Sequence, residues 1–293
     1  MAGLKEILGR IKSVKNTKKI TYAMKLVSAT KMKGAQDSVT KSRSYSNAIR
    51  QLLNDVMEGS DFDHPLLQAR DEVKKIRLIV IGANRGLCGS YNSNINKAIK
   101  KFFDSNKNVQ VETVLIGKKV VEYCKRSKIS MTETHSDLPE TPSDWPLDEI
   151  AKKAELDFLN KQVDEVYFIY TKFKSALSMS VQTEKLLPID KDSLLEQIKS
   201  DKQEATTQKQ TLFEPSAKKV FSELLPRILR VLVLQASLDA KASEYGSRMT
   251  AMDTATKNAG ELIEALTLKF NKLRQASITS EILDIVGGAN AVK

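Results

Sequence analysis

Apolar residues recur three and four positions apart at both ends of the chain and form short unbroken runs between them. Leu4, Ile7, Ile11 and Val14 keep this spacing at the N-terminus. The stripe resumes with Ile20, Met24 and Val27, then Met32, Ala35 and Val39, with Lys15, Lys18 and Lys19 interrupting it. A period near 3.5 predicts a coiled-coil seam. Near the other end Tyr245, Met249, Met252, Thr256, Ala259, Ile263, Leu266, Phe270 and Leu273 alternate strictly by four and three. Thr256 and Ala259 are small or polar members of that row, where a partner helix can approach closely. Proline supports the same division. It occurs at Pro65, Pro139, Pro142, Pro146, Pro188, Pro215 and Pro226, never in the first 64 residues or the last 67. A proline inside a helix costs about 3 kcal/mol or more, so both ends are free to be long helices. Glu214-Pro215 reads as a helix start. Pro226 is expected to kink the second helix or mark a join, and Gly287-Gly288 to stop it.

The middle has a different period. Runs at 76–81, 109–116, 164–170 and 179–187 predict four strands. Helical stretches at Asn92–Phe103, Lys118–Lys125 and Asp148–Leu159 alternate with the first three. Strand–helix alternation predicts a parallel, Rossmann-like α/β domain. The hydrophilic segment Asp190–Gln210 reads as a surface loop or short helix. The expected organisation is an N-terminal coiled-coil helix (1–58), an α/β domain (70–195), a surface connector (196–212) and a C-terminal coiled-coil helix (213–293). If both helices leave the same side of the α/β domain, they run antiparallel. At 1.5 Å per residue they span roughly 85 and 105 Å, so the second overhangs the first. Its tip then carries Ile278, Ile282, Leu283, Ile285 and Val286, an apolar cluster that calls for a partner.

Charge sharpens this picture. The chain has 293 residues and a net charge of +11, which predicts an acidic partner: nucleic acid, an anionic membrane surface or an acidic protein. Residues 1–58 hold 12 Lys and Arg against 4 Asp and Glu, and no acid lies between Glu6 and Asp37. Aromatic residues make up only 6%, with one tryptophan, which argues against a base-stacking platform. Two cysteines, Cys88 and Cys124, make no disulfide framework and suit a reducing compartment. With two histidines as well, a zinc site is not expected. There is no apolar run of 18 residues and no secretory or transit signature in the opening MAGLKEILGR. A soluble, cytosol-facing chain is expected.

Candidate chemistry is sparse. Gly82-Ala83-Asn84-Arg85-Gly86-Leu87-Cys88-Gly89 follows a strand and precedes a helix, where phosphate-cradling loops sit. Its spacing fits neither GxGxxG nor GxxxxGK[ST], so a tight turn is the simpler reading. Lys12, Lys15, Lys18, Lys19, Lys25, Lys31 and Lys33 form a field of one sign suited to acidic loops; the bland alternative is a solvated helix face. Met24, Met32, Met249 and Met252 fit core fillers at seam positions. No nucleophile–base set can be assembled around Arg274–Glu281. Neither a catalytic residue nor a cofactor is expected.

Taken together, these segments resemble the gamma subunits of F-type ATP synthases across essentially the whole chain. The resemblance rests on Ile11-Lys12-Ser13-Val14-Lys15-Asn16-Thr17-Lys18-Lys19-Ile20-Thr21, on Ala23-Met24-Lys25-Leu26-Val27-Ser28-Ala29, on Arg85-Gly86-Leu87-Cys88-Gly89 and on Phe213-Glu214-Pro215. Its most specific part is Glu244-Tyr245-Gly246-Ser247-Arg248-Met249 through Asn258-Ala259, continued by Asn271-Lys272-Leu273-Arg274-Gln275-Ala276-Ser277-Ile278-Thr279 to Glu281-Ile282. The resemblance implies a non-catalytic rotor shaft. Its coiled coil would stand in a ring of three alpha and three beta subunits. Its α/β domain would meet epsilon and the membrane c-ring, with delta elsewhere in the assembly. Proton or sodium flow would turn it. By resemblance, Met24, Lys25, Lys31 and Lys33 face acidic beta loops, and Arg274 and Gln275 touch a beta loop with Thr279 and Glu281 nearby. Arg248 matches a coupling-region arginine, and Phe213 and Glu214 match the foot toward epsilon and the c-ring. Ala83-Asn84 departs from the Ser/Thr-Asp usual in the family. The segment before Phe213 has no cysteine pair, unlike the plant chloroplast form, which points to a bacterial or mitochondrial type; with no transit signature, a bacterial protein, peripheral on the cytoplasmic side of the inner membrane, is expected. Two other readings stay open: a nucleotide-dependent enzyme built on the central sheet, and a basic coiled-coil scaffold on nucleic acid.

Overall fold

The computed structural model describes residues 2–57, 64–176, 178–190, 214 and 216–291. Two long helices bracket a sheet. Helix α1 runs Ala2–Met57 and α5 runs Ala217–Ala291. Between them lie β1 (Lys75–Ile81), α2 (Tyr91–Ser105), β2 (Gln110–Ile116), α3 (Lys118–Arg126), β3 (Glu133–His135), α4 (Leu147–Leu159), β4 (Glu165–Phe173) and β5 (Met179–Leu187). The chain divides into two compact units, and the division falls inside both long helices. One unit holds the residues up to Ala29 and those from Arg248 onward; the other runs from Thr30 to Ser247.

In the larger unit the sheet order is β3-β2-β1-β4-β5. The four neighbours β3, β2, β1 and β4 are parallel, as strand–helix alternation requires. The fourth predicted strand departs from that plan, because β5 pairs antiparallel with β4. Only a few residues separate the two, and Lys174 N–H donates to the Ser178 carbonyl across them at 3.2 Å. That is too short for a crossover helix. Strand β3 is a three-residue edge with no apolar run to announce it.

The central strands are buried on both faces, so they read as continuous apolar runs rather than alternating ones. Ile76, Leu78 and Val80 of β1 pack with Leu115 and Ile169 against Tyr91, Ile95, Ile99 and Phe102 of α2 and Val120 and Cys124 of α3. Ile79 and Ile81 face the other way. They join Ile116, Val166 and Phe168 against Ile150, Ala154 and Phe158 of α4, Ile49, Leu53 and Val56 of α1, and Phe221, Leu225 and Leu229 of α5. The inner stretches of both long helices are therefore core elements of the α/β unit. Where β1 and β2 end, Gly82 N–H donates to Ile116 O at 2.8 Å. A Cβ on Gly117, whose φ is +107°, would sit 2.4 Å from the Gly82 carbonyl oxygen. Only glycine fits there.

The seam of α1 corrects the sequence reading. Ile20 and Val27, expected on the stripe, are exposed at 60% and 55%. The buried row instead keeps strict three–four alternation along the whole helix: Leu4, Ile7, Ile11, Val14, Lys18, Thr21, Lys25, Ser28, Met32, Ala35, Val39, Ser42, Ser46, Ile49, Leu53 and Val56. All of these except Lys18 are buried or half-buried. Helical phase is fixed by geometry, so polar residues in phase enter the seam and apolar residues out of phase stay outside. The C-terminal row holds as far as Phe270, whereas Leu273 is exposed. Two expectations are revised on α5. Pro226 marks no join between two helices: it lies inside one continuous helix, flanked by buried Leu224, Leu225, Ile228 and Leu229. That packing outweighs the lost backbone bond. The helix also continues through Gly287-Gly288, since glycine in a helix costs only about 1 kcal/mol relative to alanine.

Candidate partner-binding site

In the unit that joins the N-terminal turns to the C-terminal ones, the seam has direct contacts. Lys25 Nζ meets Asp253 Oδ1 at 2.6 Å. The Thr256 hydroxyl donates to Thr21 Oγ1 at 2.8 Å. A Cβ on Gly260 would lie 3.1 Å from Lys18 Nζ. Rising numbers on α1 meet falling numbers on α5, so the helices are antiparallel. Continuing this register brings Ala2 opposite about position 276, one residue of one helix per residue of the other. Ile278, Ile282, Leu283, Ile285 and Val286 lie beyond that point and are exposed at 47–72%. Hydrogen bonds from Lys25 and Lys257 hold the Asp253 carboxyl below its ordinary range.

Met24 is half-buried beside the seam and Lys25 half-buried within it, committed to Asp253. Ile20, Tyr22, Leu26 and Val27 are exposed nearby. Arg248 is buried. Arg274, Gln275, Thr279 and Glu281 are all exposed within two helical turns of one another. The Thr279 hydroxyl turns back to the Gln275 carbonyl at 3.0 Å, and Glu281 Oε1 accepts from the Ser277 hydroxyl at 3.3 Å. Arg274 is thus an exposed cation at this end of the helix, with Lys272 exposed beside it.

In the α/β unit Lys33 is exposed. Lys31 is half-buried; it hydrogen-bonds Glu140 and lies 5.9 Å from the Tyr245 ring centre. Glu214 is exposed, while Phe213 lies outside the described residues. Two polar anchors went unread in the sequence, one at buried Asp239 and one at buried Arg77. Arg43 Nη2 donates to Asp239 Oδ1 at 3.2 Å and to the Phe173 carbonyl at 2.8 Å. Burial raises the Asp239 carboxyl above its ordinary value, against the pull of Arg43. Arg77 is buried between Glu112 and Asp157. Such pairs are far apart in sequence and leave no local signal.

The loop after β1 is held by its own side chains. Ala83 N–H donates to Asn92 Oδ1 at 3.3 Å, and the Asn92 amide donates to Cys88 Sγ at 3.2 Å. Asn84 Oδ1 accepts from Lys118 N–H at 3.1 Å, capping the start of α3. Asn84 therefore has a structural employment that needs no negative charge. Burial pushes the Cys124 thiol up to about 11, which disfavours its thiolate. Among the described residues no group of three or more His, Cys, Asp or Glu is placed to hold a metal.

A profile of the family described as ATP synthase matches residues 3–292. An ATP synthase gamma chain of Bdellovibrio bacteriovorus is 38% identical over 299 residues, covering all of both chains. One of Heliobacterium modesticaldum is 41% identical over 293 residues, again covering both completely. Among solved structures, a chain of the Euglena gracilis mitochondrial ATP synthase aligns with a TM-score of 0.66 at 18% identity, covering 99% of this chain and 95% of that one. A chain of the Tetrahymena thermophila central stalk and c-ring aligns at 0.55 with 24% identity, over 80% and 99%. At such identities the structures speak to the fold.

Proposed function

We infer how this chain works from the premise that it belongs to the ATP synthase gamma-chain family and is a central-stalk rotor subunit. We propose that it is non-catalytic and transmits torque between a membrane c-ring and the beta subunits of a ring of three alpha and three beta chains. Epsilon, with Glu214 and Phe213 at the foot, and delta complete the assembly. The observation that carries this reading is the antiparallel helix pair, whose sides are chemically unlike. One side shows Ile20 and Val27, and the extension beyond the pair shows Arg274 and an apolar row.

A shaft drives a neighbour only through contacts that differ between the neighbour's states. An uneven surface meets each beta differently at each angle. Lys33 and the lysines of α1 suit acidic loops, Arg274 with Gln275, Thr279 and Glu281 suits a polar beta contact, and Arg248 suits a buried coupling position. Lys25 acts through its pair with Asp253, and Met24, next to it on α1, suits a contact with the ring. The exposed apolar row from Ile278 to Val286 suits an apolar sleeve without fixed polar partners, which lowers the barrier to slipping. The chain works as a peripheral component on the cytoplasmic face of a bacterial plasma membrane. No helix among the described residues is long and apolar enough to cross one.

Affinity purification of the tagged full chain from its own cells tests this. Recovery of alpha and beta chains in roughly 3:3:1 ratio with ATPase activity is expected. A chain that purifies without them, or that hydrolyses nucleotide alone, overturns the reading.

A further inference from the structure

The α/β unit ends, on both long helices, beside a charged cluster drawn from three elements. Lys31 lies one residue from the unit's first residue, Thr30, on α1, and Tyr245 lies two residues from its last, Ser247, on α5. Between them reaches Glu140, from the loop that leads to α4. Its carboxylate accepts from Lys31 and, at 2.7 Å, from the Tyr245 hydroxyl. Those two hydrogen bonds hold its carboxyl below the ordinary range despite partial burial. Lys241 stands 5.0 Å from the same ring centre and pairs with Glu244 at 3.1 Å.

The loop that presents Glu140 is not a loose surface segment. Trp145 is buried, and its indole N–H donates to the Pro139 carbonyl at 2.7 Å, one residue before Glu140. Leu147 and Ile150 continue into the core beneath the sheet. Glu140 is therefore mounted beside the core of the unit, its own side chain exposed, and bonded to both helices near the unit's boundary.

We propose that Glu140 is a positioning residue that locks α1 and α5 in rotational register with the sheet, so that torque entering the α/β unit passes into both helices together. It follows that Lys31 acts through Glu140 rather than only as a surface cation offered to another subunit. A carboxylate held by two donors on different helices resists relative sliding and rolling of both, because either motion breaks a charge-assisted bond. A torque path needs such a cross-tie. Seam packing alone resists separation better than it resists slip, since its contacts are non-directional.

This inference rests on the rotor reading above, and the test separates the two. Assembled ATP synthase with wild-type chain, Glu140→Gln and Tyr245→Phe is compared by single-molecule rotation, with the probe on the α/β unit and the ring fixed. Hydrogen exchange on the same complexes reports whether the loop has been released. Glu140→Gln is expected to speed amide exchange about five-fold around residues 138–146, a loss of local protection on the scale of one charged hydrogen bond. The same variant should widen the spread of dwell angles while the hydrolysis rate stays near wild type. Tyr245→Phe, which keeps the Lys31 contact, should fall between. Released exchange with an unchanged angular spread overturns the proposal, because the tie would then be structural only. Unchanged exchange overturns it also, because Glu140 would then hold nothing. Failure of the wild-type complex to rotate at all counts against the rotor reading instead.

Discussion

Asp239 shows how much a single buried charge shapes α5. Its side chain is almost fully enclosed and faces Arg43 at 3.2 Å, with Lys172 also contributing. Desolvation raises its carboxyl above the ordinary value in spite of these cations. A carboxyl raised on folding binds its proton more tightly in the native state. Its ionisation therefore removes stability as pH climbs from the ordinary carboxylate value through the raised one. Asp239→Asn keeps an acceptor for Arg43 and sheds the buried charge. Chemical denaturation should find it more stable than wild type at pH 7 by about 1 kcal/mol. The gap should close as pH falls toward about 4, the ordinary carboxylate range. A variant equally destabilised at both pH values contradicts this account. Glu112 is the opposite case. Burial opposes its ionisation, but Lys75 and Arg77 outweigh burial and lower its carboxyl. Its contribution is present above the ordinary carboxylate value and lost as pH falls through the lowered one. Neither residue was legible in advance. Asp239 sits 196 positions from Arg43, and nothing local in the chain distinguishes it from an exposed acid.

At the scale of elements, the seam of α1 is the instructive case. Its period was legible; its members were not. Following hydrophobicity leads from Val14 to Ile20 and Val27, whereas following phase leads to Thr21, Lys25 and Ser28, and the structure obeys phase. The middle of the seam is therefore polar: Thr21 bonds Thr256, and Lys25 pairs with Asp253. Polar seam positions specify register at a cost in stability. Thr21→Val combined with Thr256→Val is expected to raise the thermal stability of the chain, by about 1 kcal/mol. Both positions change together so that the cross-helix bond is replaced by an apolar contact; each hydroxyl alone still reaches a carbonyl of its own helix, Lys18 O at 3.1 Å and Met252 O at 2.7 Å. A lower melting temperature in the double variant, measured by circular dichroism, would show that the threonine pair adds net stability. The strands were easier to read, because parallel strands buried on both faces leave unbroken apolar runs. Strand β3 left none, and the short β4–β5 connection, rather than any strand residue, made β5 antiparallel.

For the whole molecule, the rotor reading turns on cations that face outward, and the structure sorts them. Lys33 and Arg274 are exposed, whereas Lys25 and Lys31 are already engaged with Asp253 and Glu140. Reversing Lys31 would break an internal tie as well as a surface, so it does not isolate a contact with another subunit. Lys33→Glu and Arg274→Glu do. Each is expected to lower ion-driven ATP synthesis by about five-fold, the effect of losing roughly 1 kcal/mol of differential contact. The melting temperature of the chain should stay at its wild-type value. Unchanged synthesis in membrane vesicles carrying either variant would remove that residue from the coupling surface.

The amino-acid sequence by itself determined the family, the α/β class, the long terminal helices and the spacing of their rows. These depend on period, proline placement and extended runs of residues, all of which are local or cumulative along the chain. Only the tertiary structure decided which face of α1 became the seam, which lysines are engaged and which stay outward, and that Glu140 bridges Lys31 and Tyr245. Those outcomes arise from side chains more than a hundred positions apart meeting in one place. Such a meeting is set by how helices and sheet pack, and no pattern along the chain encodes it on its own.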